Sequence, residues 1–262
     1  ENVVAQMQTG NFPMDVLVLD LYWFGSTNDM GDLNWDYDRF PQPVEMMEDF
    51  ENDGIKTVLI TEPYFTLESD HYDDLAQNDL LATDEAGEPF VLQGFWAGDA
   101  GLLDMTKEEA RNWMWQYYKD RIEEGVAGWW TDLAEPESHP AEMQHQDGSA
   151  EEVHNIYNLE WQRMLYKKHK EEYPKKRLFN LSRSGWAGMQ RYSTFPWSGD
   201  IQRSFNGLQA QIPIMLGMSM SGVGYMHSDI GGFTGGGQNP ELYTRWMQLG
   251  AFTPVMRAHG TD

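Results

Sequence analysis

Short, almost uniformly apolar runs recur along the chain, and longer stretches with helical spacing of apolar positions separate them. Residues 14–19 (MDVLVL), Lys56–Thr61 (KTVLIT), 126–131 (VAGWWT) and 177–182 (RLFNLS) show no in–out alternation, the pattern of strands covered on both faces. Residues 194–199, 222–228 and 252–256 read as further, weaker strands. Helices are predicted over 44–53, 107–124, 153–172, 202–218 and 239–250. Thr106 and Glu109 stand in capping-box spacing. Asn239 followed by Pro240 gives a cap and a first-turn proline, and Gly250 closes that helix.

Repeated strand–helix units predict an α/β fold with a parallel sheet, either doubly wound or closed into a (β/α)8 TIM barrel. A nucleotide-binding sheet would carry a phosphate loop after its first strand. No G-x-G-x-x-G or Walker pattern is present, and residues 231–237 (GGFTGGG) have neither the spacing nor the lysine. The barrel is therefore the expected architecture. Seven strands are countable and residues 1–13 read as the end of a helix feeding the first, so the expectation is a barrel whose first strand lies upstream of residue 1. Residues 66–104, rich in Asp, Glu and Gly, are expected to form a long insertion. No linker or repeat divides residues 1–262, which are read as one barrel domain, a fragment of a longer chain.

Charge narrows the ligand. The 262 residues carry 42 acidic and 18 basic side chains, a formal charge of −24. Such a surface repels the phosphates of nucleic acid and anionic membranes, leaving neutral or cationic ligands. The charge-free stretch 204–228 is interrupted by Asn206, Gln209, Gln211 and Pro213, and is read as buried core rather than a membrane span. There is no cysteine, so disulfides and thiolate chemistry are absent.

Strand after predicted strand ends in an acid: Asp20, Glu62, Asp132, Asp200 and Asp229. In a barrel these ends converge on one mouth, where catalytic side chains lie. Single carboxylates there are commonly helix caps, but five in succession beside indoles are not explained by capping. Two chemistries use such a ring. Carboxylates can hold a hard cation that stabilises an enolate or phosphate, or two of them can flank a glycosidic bond. No strand ends in lysine, whereas Trp23, Trp129, Trp130, Trp186, Trp197 and Phe233 neighbour the acids, and flat rings suit the C–H faces of sugars. Arg183 and His259 are the remaining polar candidates. His71, His145 and His169 lie in polar stretches and are set aside; His139 and His154 stay open.

At this point the residues carry a resemblance. Trp129 to Glu135 (WWTDLAE) resembles the W-x-D-x-x-E nucleophile region of glycoside hydrolase family 31, the family of α-glucosidases and α-xylosidases. Arg183-Ser184 through Gln190-Arg191-Tyr192 to Trp197-Ser198-Gly199-Asp200 is similar to its acid/base segment. Asp229 to Phe233 (DIGGF), the residues around Trp246 and Arg257-x-His259 look like its closing stretch. The resemblance implies a retaining mechanism, with Asp132 the nucleophile, kept ionised by Arg183, and Asp200 the acid/base, held protonated beside Trp197. It implies a terminal-sugar pocket of Asp20, Trp130, Arg183, Trp197, Asp229, Phe233 and His259, with Glu135 a supporting acid behind it, and no cofactor or metal. It also implies flanking β-domains that residues 1–262 do not include.

Residues 15–25, 133–140 and 183–191 resemble a bacterial subgroup that contains oligosaccharide 4-α-glucosyltransferases. The expected function is therefore α-glucosyl transfer from α-1,4-linked gluco-oligosaccharides. Hydrolytic α-glucosidase or α-galactosidase activity is the alternative, and a non-catalytic sugar-binding barrel the reading from another class. Polymeric glucans are met outside the cytoplasm, so a periplasmic or extracellular location is expected.

Overall fold

Five of the apolar runs lie side by side as one parallel sheet. The structure, a computed structural model, describes residues 2–261. In chain order the elements are α1 (Asn2–Thr9), β1 (Val16–Leu19), α2 (Pro43–Asn52), β2 (Lys56–Thr61), β3 (Tyr64–Thr66), α3 (Tyr72–Gln77), β4 (Ala100–Leu102), α4 (Glu108–Glu124), β5 (Gly128–Thr131), β6 (Gln144–His145), β7 (Gly148–Ser149), α5 (Ala150–Glu172), β8 (Asn180–Arg183), β9 (Thr194–Trp197), α6 (Phe205–Met220) and α7 (Pro240–Gly250). Sheet order is β1-β2-β5-β8-β9, each strand parallel to the next. Spatial order equal to chain order, with helices α2, α4 and α5 on the crossovers, is the wall of a (β/α)8 barrel. The wall continues through single parallel bridges, Trp197 to His227 and Ile230 to Ala258.

The expected strand at 222–228 is reduced to the bridge at His227, and residues 252–256 form no strand. Gly222 adopts φ +82° in the turn after α6, while Pro254 has no N–H to give a ladder and Phe252 is 91% exposed. The expected insertion at 66–104 is framed by the antiparallel β3–β4 hairpin, with α3 inside it.

Capping differs from expectation at one helix. α4 starts after Lys107, which makes no side-chain cap, because the Thr106 hydroxyl instead donates to Asp104 at 2.7 Å. Asn239 does cap α7, accepting from the backbone N–H groups of Glu241 and Leu242. α5 opens on Ser149, whose backbone N–H and hydroxyl both donate to Glu152.

The core fills the space between the strands and the α4–α5 layer: Trp129, Trp161, Tyr118 and Tyr157 are almost wholly buried. Most of the stretch 204–228 is not core. Residues 205–220 form α6, which buries only Gln211, and Phe205, Ile212, Leu216 and Met220 are exposed, whereas Met226, His227 and Ser228 are buried. No helix is long and apolar enough to cross a membrane among the described residues.

Candidate active site

Alternation along a strand decides which side chains reach the mouth. On β5, Trp129 packs edge-on against Tyr118 of α4, 4.4 Å between centroids. Trp130 and Asp132, two residues apart, therefore take the opposite, inward face. Register carries that parity round the wall. Ile60 pairs with Trp130, Trp130 with Leu181, and Arg183 with Trp197. Beyond the last paired residues, Thr61 and Thr131, Glu62 and Asp132 stand on neighbouring strand ends, and Asp132 N–H donates to the Thr61 carbonyl at 3.0 Å. Glu62, Asp132, Arg183 and Trp197 thus form one inward layer, with Asp20 on β1 facing the same way.

Arg183 is the electrostatic hub. Its Nε lies 3.4 Å from Asp132 and 2.9 Å from Glu135, and its Nη2 is bonded to Glu137. The residues directly after Asp132 and Arg183 both carry left-handed backbone, Leu133 at φ +51° and Ser184 at φ +81°. This local strain turns the chain sharply away beside each functional side chain. Burial pushes the Asp132 carboxyl up to about 7; Arg183 and the Leu133 N–H oppose the shift, while Asp200 and Glu135 add to it. Arg183 acts in the expected direction, favouring the ionised form, but one guanidinium shared by three carboxylates does not outweigh burial. Asp200 is exposed and sits at the mouth, its carboxyl raised by desolvation against the pull of Arg183. A cleft of about 350 Å³ lies between Glu135, Arg183, Ser184, Trp197, Ser198, Gly199 and Asp200.

An aromatic wall stands opposite. Trp130 meets Trp197 edge-on at 5.8 Å and His259 edge-on at 5.1 Å, and Phe233 lies 5.1 Å from His259. Arg257 lies over both indoles, 4.9 Å from Trp130 and 5.1 Å from Trp197, and pairs with buried Asp229 at 2.5 Å. His259 Nε2 is 3.8 Å from Asp20, and burial with Arg257 nearby lowers its pKa to about 4, so it is neutral at pH 7. The turn that presents Asp229 and Phe233 requires glycine. Gly232 sits at φ +82°, where a Cβ would come 2.6 Å from the Arg203 Cα.

The two proposed catalytic acids and the residues expected to line the sugar pocket are brought to this mouth, as is Glu135 through its bonds to Arg183. Among the aromatics, Trp23 and Trp129 are core residues instead, each 1% exposed. Trp23 donates to the Ile60 carbonyl. Three side chains at the mouth were given no role by sequence reasoning. Glu62 was visible as a strand-end acid; it is 5% exposed, its Oε2 has no partner, and burial pushes its carboxyl well above the usual range. Arg257 was visible only as part of a motif, and Glu137 had no signal beyond its loop. Unpartnered buried atoms converge here: Trp130 Nε1, Asp132 Oδ1, and Arg257 Nε and Nη1. They are donors and an acceptor of the kind that sugar hydroxyls satisfy. No His, Cys, Asp or Glu cluster able to hold a metal ion occurs among the described residues.

A parallel barrel whose mouth sets inward carboxylates against indoles defines the class of carbohydrate-active TIM barrels. Within that class the chain belongs to glycoside hydrolase family 31: the family's TIM-barrel domain matches residues 1–262. It is 30% identical to α-glucosidase 2 of Bacillus thermoamyloliquefaciens over 95% of the chain and 32% of that protein. It is also 30% identical to the α-xylosidase of Saccharolobus solfataricus over 99% of the chain and 35% of that protein. The family 31 dextranase of Flavobacterium johnsoniae, solved with glucose, superposes with a TM-score of 0.90 at 29% identity, covering 100% of this chain and 34% of the other. The chain thus spans about a third of the length of the relatives it matches.

Proposed function

We propose that this barrel performs retaining cleavage of neutral α-glycosides, with Asp132 as nucleophile and Asp200 as acid/base. In the first step an Asp132 oxygen forms a bond to the anomeric carbon as the bond to the leaving oxygen breaks, and Asp200 gives that oxygen its proton. In the second, Asp200 takes the proton of an incoming water or sugar hydroxyl, whose oxygen displaces Asp132. Two inversions leave the anomeric configuration unchanged. Asp20, Trp130, Arg183, Trp197, Asp229, Phe233 and His259 would enclose the terminal sugar, and Glu135 would steady Arg183.

The observation that carries this reading is that the guanidiniums nearest the carboxylates are already paired with them. Arg183 is held by Asp132, Glu135 and Glu137, and Arg257 by Asp229. A phosphorylated or sulfonated sugar would meet a surplus of carboxylates there. A neutral sugar passing through a cationic oxocarbenium-like state is favoured by the surplus of carboxylates. The finer part of the proposal is transfer of an α-glucosyl unit along α-1,4-linked gluco-oligosaccharides. Trp186, 47% exposed in the loop after Arg183, is a flat surface for an acceptor sugar. Encounter with such glucans outside the cytoplasm belongs to the same proposal. Product analysis on maltotriose tests it. Maltotetraose with maltose and little glucose supports transfer; glucose with maltose replaces transfer by hydrolysis; no turnover of any α-glucoside removes glucose as the sugar.

A further inference from the structure

Four titratable side chains outside the mouth form an unbroken hydrogen-bonded row. Asp104 follows β4, His145 lies in β6, His139 lies in the loop that leaves Asp132, and His154 is on α5. Asp104 Oδ1 meets His145 Nδ1 at 3.0 Å, His145 Nε2 meets His139 Nε2 at 2.7 Å, and His139 Nδ1 meets His154 Nδ1 at 3.0 Å. The Asp104 and His145 side chains are fully buried, which corrects the reading of His145 as a residue of a polar stretch.

One carboxylate orients the first ring of this row. Burial alone would raise the Asp104 pKa, but hydrogen bonds from His145, Thr106 and the Gln146 N–H override it and hold the carboxyl below its usual value. An ionised carboxylate only accepts, so His145 Nδ1 is the donor to Asp104. A neutral His139 between two rings donates through one of its nitrogens and accepts through the other. Both nitrogens of His139 are committed, so a second proton there would set N–H against N–H. Its pKa is lowered to about 3, by burial first and then by His145 and His154, in keeping with a neutral middle ring. The rings are also packed: His139 stacks on His154 at 5.3 Å and meets His145 edge-on at 4.9 Å, with Tyr157 against both.

The row anchors the loop of residues 133–140. Next to His139, Ser138 is clasped in both directions by Tyr64: its N–H donates to the tyrosine oxygen at 2.8 Å and its carbonyl accepts from that hydroxyl at 3.2 Å. The other side of the same loop carries Glu135 and Glu137, the two acids that orient Arg183 toward Asp132. We propose that the Asp104–His145–His139–His154 row is a positioning device for the nucleophile, with His139 the residue that holds the loop so that Arg183 stays against Asp132. This rests on the reading of Asp132 as nucleophile. The charged groups facing Asp132 are Arg183, Asp200, Glu135 and Glu62; the row acts through the loop.

His139→Phe keeps a ring of similar bulk and removes both hydrogen bonds. With the loop loosened, Arg183 spends less time beside Asp132, so ionising Asp132 becomes harder. The expected result is a rise of the acidic limb of the kcat/KM profile by about one pH unit, a loss of about tenfold at pH 6, and a fall in kcat larger than any change in KM. A variant that is less heat-stable but keeps the wild-type limb and kcat would overturn the proposal, leaving the row a structural brace. His154→Phe breaks only the last link and should move the limb in the same direction by less. It carries the test if His139→Phe does not fold, and an unmoved limb there overturns the proposal equally. Asp132→Ala separates the two readings: an active Asp132→Ala protein removes the nucleophile assignment, whatever the histidine variants do.

Discussion

Replacing Arg183 with methionine removes the cation beside Asp132 while keeping most of the side chain's length. At the 3.4 Å separation, unit charges attract by ~5 kcal/mol at an effective dielectric of 20 and by ~1.2 kcal/mol at that of water. At about 1.36 kcal/mol per pK unit, these bracket roughly 1 to 3.6 units. The two side chains are 11% and 15% exposed, so solvent screening is limited. Glu135 and Glu137, however, already consume part of the guanidinium's field, which favours the lower half, roughly 1–2 units. Asp132 should therefore move from about 7 to roughly 8–9.

The sign follows directly. An acid with a higher pKa is ionised over a narrower range, so the acidic limb of the kcat/KM profile moves up. At pH 6.5 the ionised fraction falls from about a quarter to about 3% or 0.3%, a loss of roughly 8- to 80-fold that shrinks as pH rises past 9. The assay is initial rates on an aryl α-glucoside from pH 5 to 10, with circular dichroism at each pH to confirm folding. A loss equal at every pH would mean that Arg183 only shapes the pocket; a limb that moves down would refute the electrostatic argument.

Asp200→Ala should lower turnover of maltose by about 10³-fold, within the usual range for a lost general acid, yet spare substrates whose leaving group needs no proton, such as dinitrophenyl α-glucosides; equal losses on both would remove Asp200 from proton transfer. Glu62→Gln should stabilise the protein at pH 7. The folded protein holds the Glu62 carboxyl above its unfolded value, so it binds more protons than the unfolded chain in that window and loses stability as pH rises through it. Melting temperatures should therefore favour the variant at pH 7 and converge below about pH 4.5; a variant less stable at neutral pH would show that Glu62 is ionised. Gly232→Ala must adopt φ +82° with its Cβ against the Arg203 backbone, at a cost of about 1–2 kcal/mol for the left-handed backbone alone. It should lower the melting temperature by about 2–8 °C and weaken activity by displacing Asp229 and Phe233; an unchanged melting temperature would show that the turn relaxes freely.

The sheet was legible because burial on both faces leaves a strong mark. The strand Lys56–Thr61 has the same limits in sequence and structure, being an apolar run bounded by Gly54 and by the charged end at Glu62. Legibility failed where one residue decided the outcome, as at Pro254 and Gly222, since a strand needs every ladder position. The acids of the mouth could be read from their place after each strand, but which indoles join them could not. Trp129 and Trp130 are adjacent and differ only in parity, which the contact between Trp129 and Tyr118 fixes. The histidine row had no sequence signal at all: positions 104, 139, 145 and 154 share no period, and meet only because the segment after β4 and the β6–β7 hairpin lie against the first turns of α5.

The electrostatics of the mouth explain why such a loop needs holding. Asp20, Glu62, Asp132, Glu135, Glu137, Asp200 and Asp229 gather around two guanidiniums, Arg183 and Arg257, and burial lifts several of these acids above their ordinary values. Like charges at this density repel, and the segment carrying three of them, Asp132, Glu135 and Glu137, starts from a strained left-handed residue, Leu133. Left to itself that segment would relax outward, separating the acids and taking Glu135 and Glu137 away from Arg183. Its anchors therefore have to be directional and to stand away from the acids. A tyrosine clasp on Ser138 and an imidazole row ending on a buried carboxylate outside the mouth meet both requirements. On the proposed function, the same surplus of carboxylates that would draw the segment apart would favour a sugar ring developing positive charge, so stability and catalysis would pull against each other at this loop.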